Sequence, residues 1–141
     1  MKSIKLLSFL TLTIIFSSCS STQKNTTDAI YGSTWELEFL SGPRIAFNGL
    51  FPDKKPQITF NLETKKVEGT TSCNGYNAPY ELGVNTISFG EQGPTTMMYC
   101  GEGEKFFVNT IKKVNHYKID ADGKLNLMID DVPMMRFIKI N

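Results

Sequence analysis

Apolar and polar residues alternate along several short stretches of this chain, which is the pattern of β-strands that bury one face. Residues 35–39, 58–62 and 125–129 carry an apolar side chain at every second position, among them Phe39 and Leu62. Shorter stretches of strand composition lie at 66–70, 78–82, 86–89, 117–120 and 135–140. Clusters of Gly, Pro, Asn and Asp separate these segments and indicate turns. The pattern therefore predicts about eight short strands.

One segment departs from this period of two and predicts a helix at about 102–114. Its apolar side chains recur at helical spacing, at Phe106, Phe107, Val108, Ile111 and Val114. Acidic residues stand near its start and lysines near its end, an order that complements the helix dipole. Because the helix occurs once, repeated β-α-β units are excluded. We therefore predict a mainly β, α+β fold: a single small antiparallel, barrel-like sheet with one helix packed across an open end or face.

The first 18 residues have the order of a secretory signal peptide. Met1–Lys5 is positively charged, Leu6–Phe16 is mostly apolar but too short to span a bilayer, and small residues then lead to Cys19. This order resembles the bacterial lipobox, in which the cysteine becomes the lipid-carrying first residue. We expect a lipoprotein signal peptide over 1–18, lipid on Cys19, a polar tether over 19–32 and a folded domain over 33–141. An ordinary secreted protein with an incidental cysteine is the alternative.

The expected lipid on Cys19 makes the membrane the first predicted partner, because several acyl chains anchor stably where one is marginal. The tether has no acidic pair next to the cysteine, which favours the outer membrane and a periplasm-facing domain. Without Lys2 and Lys5 the chain carries 13 basic and 14 acidic side chains, a net charge of −1. Since phosphate recognition needs a concentrated basic face, no nucleic-acid partner is expected. We expect a monomer.

Two cysteines, Cys73 and Cys100, remain for the folded domain. In an exported, oxidising compartment we expect a structural disulfide between them, which stabilises a loop of this length by about 3.5 kcal/mol on the chain-entropy model. Two buried thiols that never pair are the alternative. The spacing fits neither a Cys-x-x-Cys redox pair nor a zinc pair, and His116 is the only histidine. No metal and no cofactor are predicted.

The motifs around these cysteines resemble the META domain family, which includes heat-inducible bacterial outer-membrane lipoproteins. The family pattern is an opening Trp-x-Leu, then Gly-x-x-Gly-Cys-Asn-x-Tyr, then Thr-x-Met-x-Cys, a helix headed by Glu and a closing Leu-x-Leu. Ser72 replaces the second glycine of the longer motif. Over roughly residues 33–140 the chain matches the pattern at Trp35, Leu37, Gly69, Cys73, Asn74, Tyr76, Thr96, Met98, Cys100, Glu104, Leu125 and Leu127.

The resemblance implies a small barrel-like α+β domain without an established enzymatic activity, loosely associated with envelope stress, heat induction and antibiotic tolerance. We therefore expect a non-catalytic, lipid-anchored envelope protein that supports envelope or heat stress tolerance. One alternative is an inhibitor or assembly factor that docks on another envelope protein. A second is a barrel that holds a small apolar ligand, with its cavity lined by Phe39, Phe60, Tyr80, Phe89 and Tyr117.

Two enzymatic interpretations are weaker than the structural ones. A Ser-His-Asp triad would have to use His116, and no serine lies in a Gly-x-Ser-x-Gly elbow. Glu36 and Glu38 fall on the polar face of an alternating strand, where solvated carboxylates are expected rather than a glycosidase pair. The sequence therefore predicts no enzyme.

Asn74 and the Met97–Met98 pair each allow a functional and a structural interpretation. Asn74 precedes a glycine, and we expect it to form a turn by taking up the left-handed backbone region rather than to serve recognition. Met97 and Met98 could adapt to varied partners, but we expect one of them to fill the core.

Overall fold

A computed structural model of the protein describes residues 28–140. The signal peptide, Cys19 and most of the expected tether lie outside these residues. The described part forms a short 3₁₀ turn (Asp28–Ile30), two α-helices and one eight-stranded sheet. The helices are α1 (Phe47–Leu50) and α2 (Glu102–Ile111). The strands are β1 (Thr34–Leu40), β2 (Gln57–Asn61), β3 (Lys66–Thr70), β4 (Gly75–Leu82), β5 (Ile87–Phe89), β6 (His116–Ile119), β7 (Leu125–Ile129) and β8 (Val132–Ile140).

The strands form a curled antiparallel sheet in the order β5-β4-β3-β2-β1-β8-β7-β6. The first and last strands, β1 and β8, pair near its centre, which brings the two ends of the described chain together in one sheet. Its two edges meet where Thr86 bridges His116, and the Ile87 N–H donates to the Asn115 carbonyl at 3.1 Å. The predicted mainly β, barrel-like fold is confirmed.

The core begins before the expected domain boundary at residue 33. Trp35 is fully buried on β1, and its indole N–H donates to the Ile30 carbonyl at 2.8 Å. Ile30 is itself fully buried, although it was assigned to the polar tether. An indole N–H inside a core needs an acceptor, and the 3₁₀ turn supplies one. The folded part therefore includes residues 28–32.

Phe39 does not face the core, which contradicts the alternating pattern. The pairing of β1 with β8 shifts register between Leu37 and Phe39, so Leu40 is buried instead and Phe39 is 39% exposed. A bulge of this kind reverses the side-chain alternation beyond it. The Arg136 guanidinium lies 5.5 Å from the Phe39 ring centroid on the outer face. Phe39 therefore cannot line an internal cavity.

Leu62 was also expected on the buried face and is 54% exposed. Strand β2 ends one residue earlier, because the Asn61 side-chain carbonyl accepts hydrogen bonds from the main-chain N–H groups of Glu63 and Thr64, at 2.9 and 3.0 Å. This side-chain turn competes with the strand ladder. The alternation therefore stops at Asn61.

The other aromatic residues proposed to line a cavity pack against each other or against the chain. The Phe60 ring meets Tyr80 edge-on at 5.2 Å and lies 6.2 Å from Phe89. The Tyr80 hydroxyl donates to the Asn61 carbonyl at 3.0 Å, and the buried Tyr117 hydroxyl contacts the chain at residues 83–84. These side chains occupy the interior as core.

Helix α2 ends at Ile111 rather than near 114, although Val114 is still buried. Gly103 brings the start of α2 against α1, because a Cβ at this position would lie 2.7 Å from a Phe51 ring carbon. The four-residue α1 was not predicted, since its Asn48-Gly49 pair reads as a turn. Between residues 28 and 140 there is no helix with the length and apolar character needed to cross a membrane.

The outer face of the sheet carries a charged cluster that joins three adjacent strands. Glu38 Oε1 accepts from Lys124 Nζ at 2.8 Å and from Arg136 Nε at 2.6 Å. The hydrogen bond from Lys124, followed by that from Arg136, lowers the pKa of Glu38 against the opposing effect of burial. The ionised carboxylate therefore stabilises the fold.

We expect Glu38→Gln to lower the free energy of unfolding by about 1 kcal/mol at pH 7. Since the folded-state pKa is depressed, the wild-type contribution is present above the unfolded pKa of Glu and is lost as pH falls through the folded value. The two proteins should therefore converge in acid. Chemical denaturation followed by Trp35 fluorescence measures this. Glu68→Gln is the control, because Glu68 is exposed and in none of the ion pairs of the described residues; equal losses would contradict the assignment.

Candidate functional site

A disulfide joins Cys73, in the β3–β4 turn, to Cys100, directly before α2. Their Cα atoms are 5.8 Å apart, and their positions in sequence differ by 27. The bond attaches the long segment between β5 and α2 to the end of the β3–β4 hairpin. The structure thus contains the disulfide expected from the sequence, and it places both cysteine motifs at one end of the sheet.

Asn74 follows Cys73 in the first of these motifs and is 1% exposed. Its amide nitrogen is 2.7 Å from the Met98 carbonyl, 2.9 Å from a Glu104 carboxylate oxygen and 3.0 Å from Cys100 Sγ. Its amide oxygen accepts from Thr96 Oγ1 at 2.9 Å and from the Met98 N–H at 3.0 Å. The side chain therefore connects both motifs to α2, and its role is larger than a turn.

Thr71 and Glu104 complete this arrangement. The Thr71 hydroxyl donates to Glu104 Oε1 at 2.6 Å, and the Thr71 N–H donates to the Asn74 carbonyl at 2.9 Å. Sequence reasoning did not assign Thr71 a role, because it stands at an x position of the Gly-x-x-Gly-Cys-Asn-x-Tyr motif, where no residue type is specified. We call Thr71, Asn74, Thr96, Glu104 and the main chain of Met98 the Asn74 cluster.

The segment that follows β5 runs beside β4 without forming a regular strand. The Gly90 N–H donates to the Pro79 carbonyl at 2.8 Å, the Gly93 N–H donates to the Asn77 carbonyl at 2.9 Å, and Thr95 Oγ1 donates to the Gly75 carbonyl at 2.7 Å. These contacts fix the path of residues 90–95. The Asn74 cluster then fixes residues 96–98.

Three large side chains project from this fixed segment into solvent. Met97 is 96% exposed, Met98 57% and Tyr99 87%. The expectation that one methionine fills the core is wrong, because the main chain of Met98 is bound on the inner side by Asn74. We call Met97, Met98 and Tyr99 the apolar tip. No sequence signal marked Tyr99.

Grooves lie on either side of the tip. The first has a volume of about 930 Å³ and is lined by α1, Tyr99, both cysteines and the start of α2. We call it the disulfide groove. The second has a volume of about 750 Å³ and lies between the tip, Asn74 and Val108 on α2. The tip thus separates two concave surfaces of a size that accepts small ligands or side chains of a partner.

The remaining motif residues are structural. Gly69 lies where β3 crosses β2 closely, since a Cβ there would come 2.7 Å from the Gln57 carbonyl carbon. Tyr76 is 3% exposed, with its ring edge-on to Phe107 at 5.6 Å, and its hydroxyl has no hydrogen-bond partner among the described residues. Burial raises the pKa of Tyr76. Trp35 anchors the first turn, as described above.

None of the residues weighed for catalysis belongs to the Asn74 cluster. Among residues 28–140 there is no group of three or more His, Cys, Asp or Glu side chains that could hold a metal ion. Glu36 and Glu38 interact with cations and with Gln57 on the outer face. The His116 ring contacts the side chain of its neighbour Asn115 at 2.9 Å. These contacts account for each group structurally.

We expect Asn74→Ala to lower the free energy of unfolding by about 3 kcal/mol, because the Glu104 carboxylate and buried main-chain groups lose their partner. Asn77→Ala is the matched control: the same residue type three positions later, on β4, with one side-chain hydrogen bond of 3.2 Å to the Pro94 carbonyl. Its loss should stay below about 1 kcal/mol. Chemical denaturation of the full chain measures the free energy of unfolding of both variants. Similar decreases would mean that the Asn74 cluster stabilises the fold no more than the single hydrogen bond of Asn77.

Ser72 departs from the family pattern at a strained position, with φ 139°. We expect Ser72→Gly to raise the free energy of unfolding by about 1 kcal/mol, because glycine adopts this region freely. Ser88→Gly, on strand β5 at ordinary φ, should instead lower it by about 0.5 kcal/mol. Thermal or chemical denaturation distinguishes these signs. A decrease in both variants would show that Ser72 is unstrained.

Comparison with known proteins agrees with this geometry. The META domain model matches residues 27–140. A solved structure described as "NMR structure of the protein from Burkholderia xenovorans" superposes with a TM-score of 0.63 at 21% identity, over 82% of this chain and 87% of that one. At this identity the likeness concerns the fold. No curated protein matches the chain. On the match to the family model, the chain belongs to the META domain family.

Proposed function

We propose that this protein is a non-catalytic, lipid-anchored envelope protein, and that its domain presents the apolar tip to a partner protein during envelope or heat stress. The anchor is supported by the signal-peptide order and by the small residues before Cys19. Membership of the META domain family supports a non-enzymatic role. The expected site is the periplasmic side of the outer membrane.

The tip is the observation that carries the proposal. Met97, Met98 and Tyr99 are exposed next to each other, and the segment that holds them is fixed by a disulfide and by a buried amide. Exposing adjacent large apolar side chains is unfavourable by roughly 25 cal/mol per Å². Methionine adapts to irregular partner surfaces, and tyrosine is enriched at interface hot spots. A fixed apolar protrusion between two grooves therefore suits protein docking.

The position of the tether favours a protein partner over the membrane itself. Asp28, where the described chain begins, lies with Lys65 and Leu82 around one groove, at the far end of the β3–β4 hairpin from the tip. Strand β4 has eight residues, which gives about 26 Å between these ends. The tip and the start of the described residues therefore lie at opposite ends of the hairpin, which supports a partner in the compartment rather than the membrane surface.

An inhibitor or assembly factor is one form of this proposal, since either docks on another envelope protein. An apolar ligand inside the barrel is less favoured, because Phe60, Tyr80 and Phe89 pack on each other there and Phe39 lies outside.

The test is complementation of a deletion strain under heat and detergent stress. We expect Met97→Asp combined with Tyr99→Ser to lose protection although the protein accumulates normally, since a charge desolvated at an interface opposes binding. Val84→Asp is the matched control, because Val84 is 85% exposed at the opposite end of β4. Survival counts and immunoblotting measure the outcome.

Two results would contradict the proposal. A deletion strain with normal survival under both stresses would remove the stress role. Equal activity of the tip and Val84 variants would remove the docking surface. Cys19→Ser in the same strain tests the anchor separately: it should release the protein from the membrane fraction, and retention there would exclude lipid attachment at Cys19.

A further inference from the structure

The disulfide lies at the surface. Cys73 is exposed and Cys100 is partly exposed, and both line the disulfide groove. The groove also contains Ile45 and Tyr99, which offer apolar contacts to a bound molecule. Attack on a disulfide requires a thiolate to reach one of the two sulfur atoms. The groove gives a thiol-bearing molecule this access.

The two sulfur atoms have different surroundings. Cys100 Sγ lies 3.0 Å from the amide nitrogen of Asn74, and Cys100 stands two residues before Glu102, the first residue of the ten-residue α2. Hydrogen-bond donors and helix N-termini stabilise a thiolate. The carboxylates of Glu102 and Glu104 in the first turn of α2 oppose this effect, and Glu104 lies 2.9 Å from the same amide nitrogen. Cys73 is the more exposed residue, so we expect attack at Cys73 Sγ, and the Asn74 amide nitrogen is the donor beside the Cys100 Sγ that would leave.

Opening the disulfide would leave the surrounding chain in place. The Asn74 amide oxygen still accepts from Thr96 and from the Met98 N–H. The Gly93 and Thr95 contacts to β4 are also independent of the sulfur atoms. The two cysteines would therefore remain close enough to pair again.

We propose that Cys73–Cys100 is a reversible thiol-exchange site for a low-molecular-weight thiol. The incoming thiolate forms a bond to Cys73 Sγ, and the electron pair of the broken S–S bond leaves on Cys100 Sγ. In the reverse step the Cys100 thiolate attacks Cys73 Sγ and releases the original thiol. No other oxidant or reductant is needed. Thiol exchange at the two sulfur atoms does not require a partner docked on the tip, so either proposal can fail alone.

The test uses the folded full chain in detergent, with glutathione as the thiol. After incubation, free thiols are blocked with iodoacetamide, and peptide mass spectrometry locates each modification. We expect the glutathione adduct on Cys73 and the blocking group on Cys100, with at least about tenfold excess over the reverse arrangement. Trp35 fluorescence should stay unchanged, and removal of glutathione should restore the disulfide.

Two outcomes would overturn the proposal: equal adducts on both cysteines, or reaction only after the protein unfolds. Glu104→Gln adds a readout that a purely structural disulfide would not move. Because it removes a negative charge near the Cys100 thiolate and keeps an oxygen for Thr71 and Asn74, we expect exchange to accelerate about threefold or more. Glu91→Gln is the control, since Glu91 pairs with Lys112 outside the groove. Equal rates in both variants would also contradict the proposal.

Discussion

The side-chain amide of Asn74 is sealed from water at the end of the β3–β4 hairpin, and the path of the segment between β5 and α2 depends on it. A buried amide must find its hydrogen bonds inside the protein, because an unpaired donor or acceptor there is strongly unfavourable. Thr96, Met98 and Glu104 supply those partners. Hydrogen bonds to the Asn74 side chain thus fix this segment, which has no strand ladder of its own.

The exposure of the apolar tip follows from the same requirement. Both main-chain polar groups of Met98 bind Asn74, so the segment lies with its main chain inward. Its large side chains therefore stay exposed to solvent, where they gain no free energy from burial. A hydrophobic loop that was free to move would collapse onto one of the neighbouring grooves. The satisfied amide therefore maintains an apolar protrusion that packing alone would not.

The sequence was informative where one physical rule acts alone. Period-two alternation located β3 at residues 66–70 and most other strands to within a few residues, because one face of each strand is buried. It failed at Phe39, where a bulge reverses the faces, and at Ile30, a buried residue ahead of β1 whose main-chain carbonyl accepts the Trp35 indole N–H. Bulges and isolated contacts depend on partners distant in sequence, and a local hydrophobic pattern carries no information about those partners.

In the candidate site, too, the sequence predicts the roles of some residues and not of others. Two cysteines in an exported chain predict a disulfide by compartment alone. Asn74 before a glycine predicted a local turn, yet the residue with positive φ is Ser72. The amide instead serves groups as distant in sequence as Glu104. Such a role becomes visible only when the fold brings these groups together.

The Cys73–Cys100 disulfide and the Asn74 amide both attach the β5–α2 segment to the β3–β4 turn, but they stabilise the fold by different mechanisms. A cross-link acts largely by restricting the unfolded chain, and it is indifferent to the exact path of the native loop. The Asn74 amide acts only in the native state, and it selects one path through the directions of its hydrogen bonds. The amide's contacts with Thr96 and with the Met98 N–H do not involve the sulfur atoms, so the proposed opening of the bond leaves these contacts available. The directional hydrogen bonds of the Asn74 amide and a reversible Cys73–Cys100 disulfide are therefore compatible at one site.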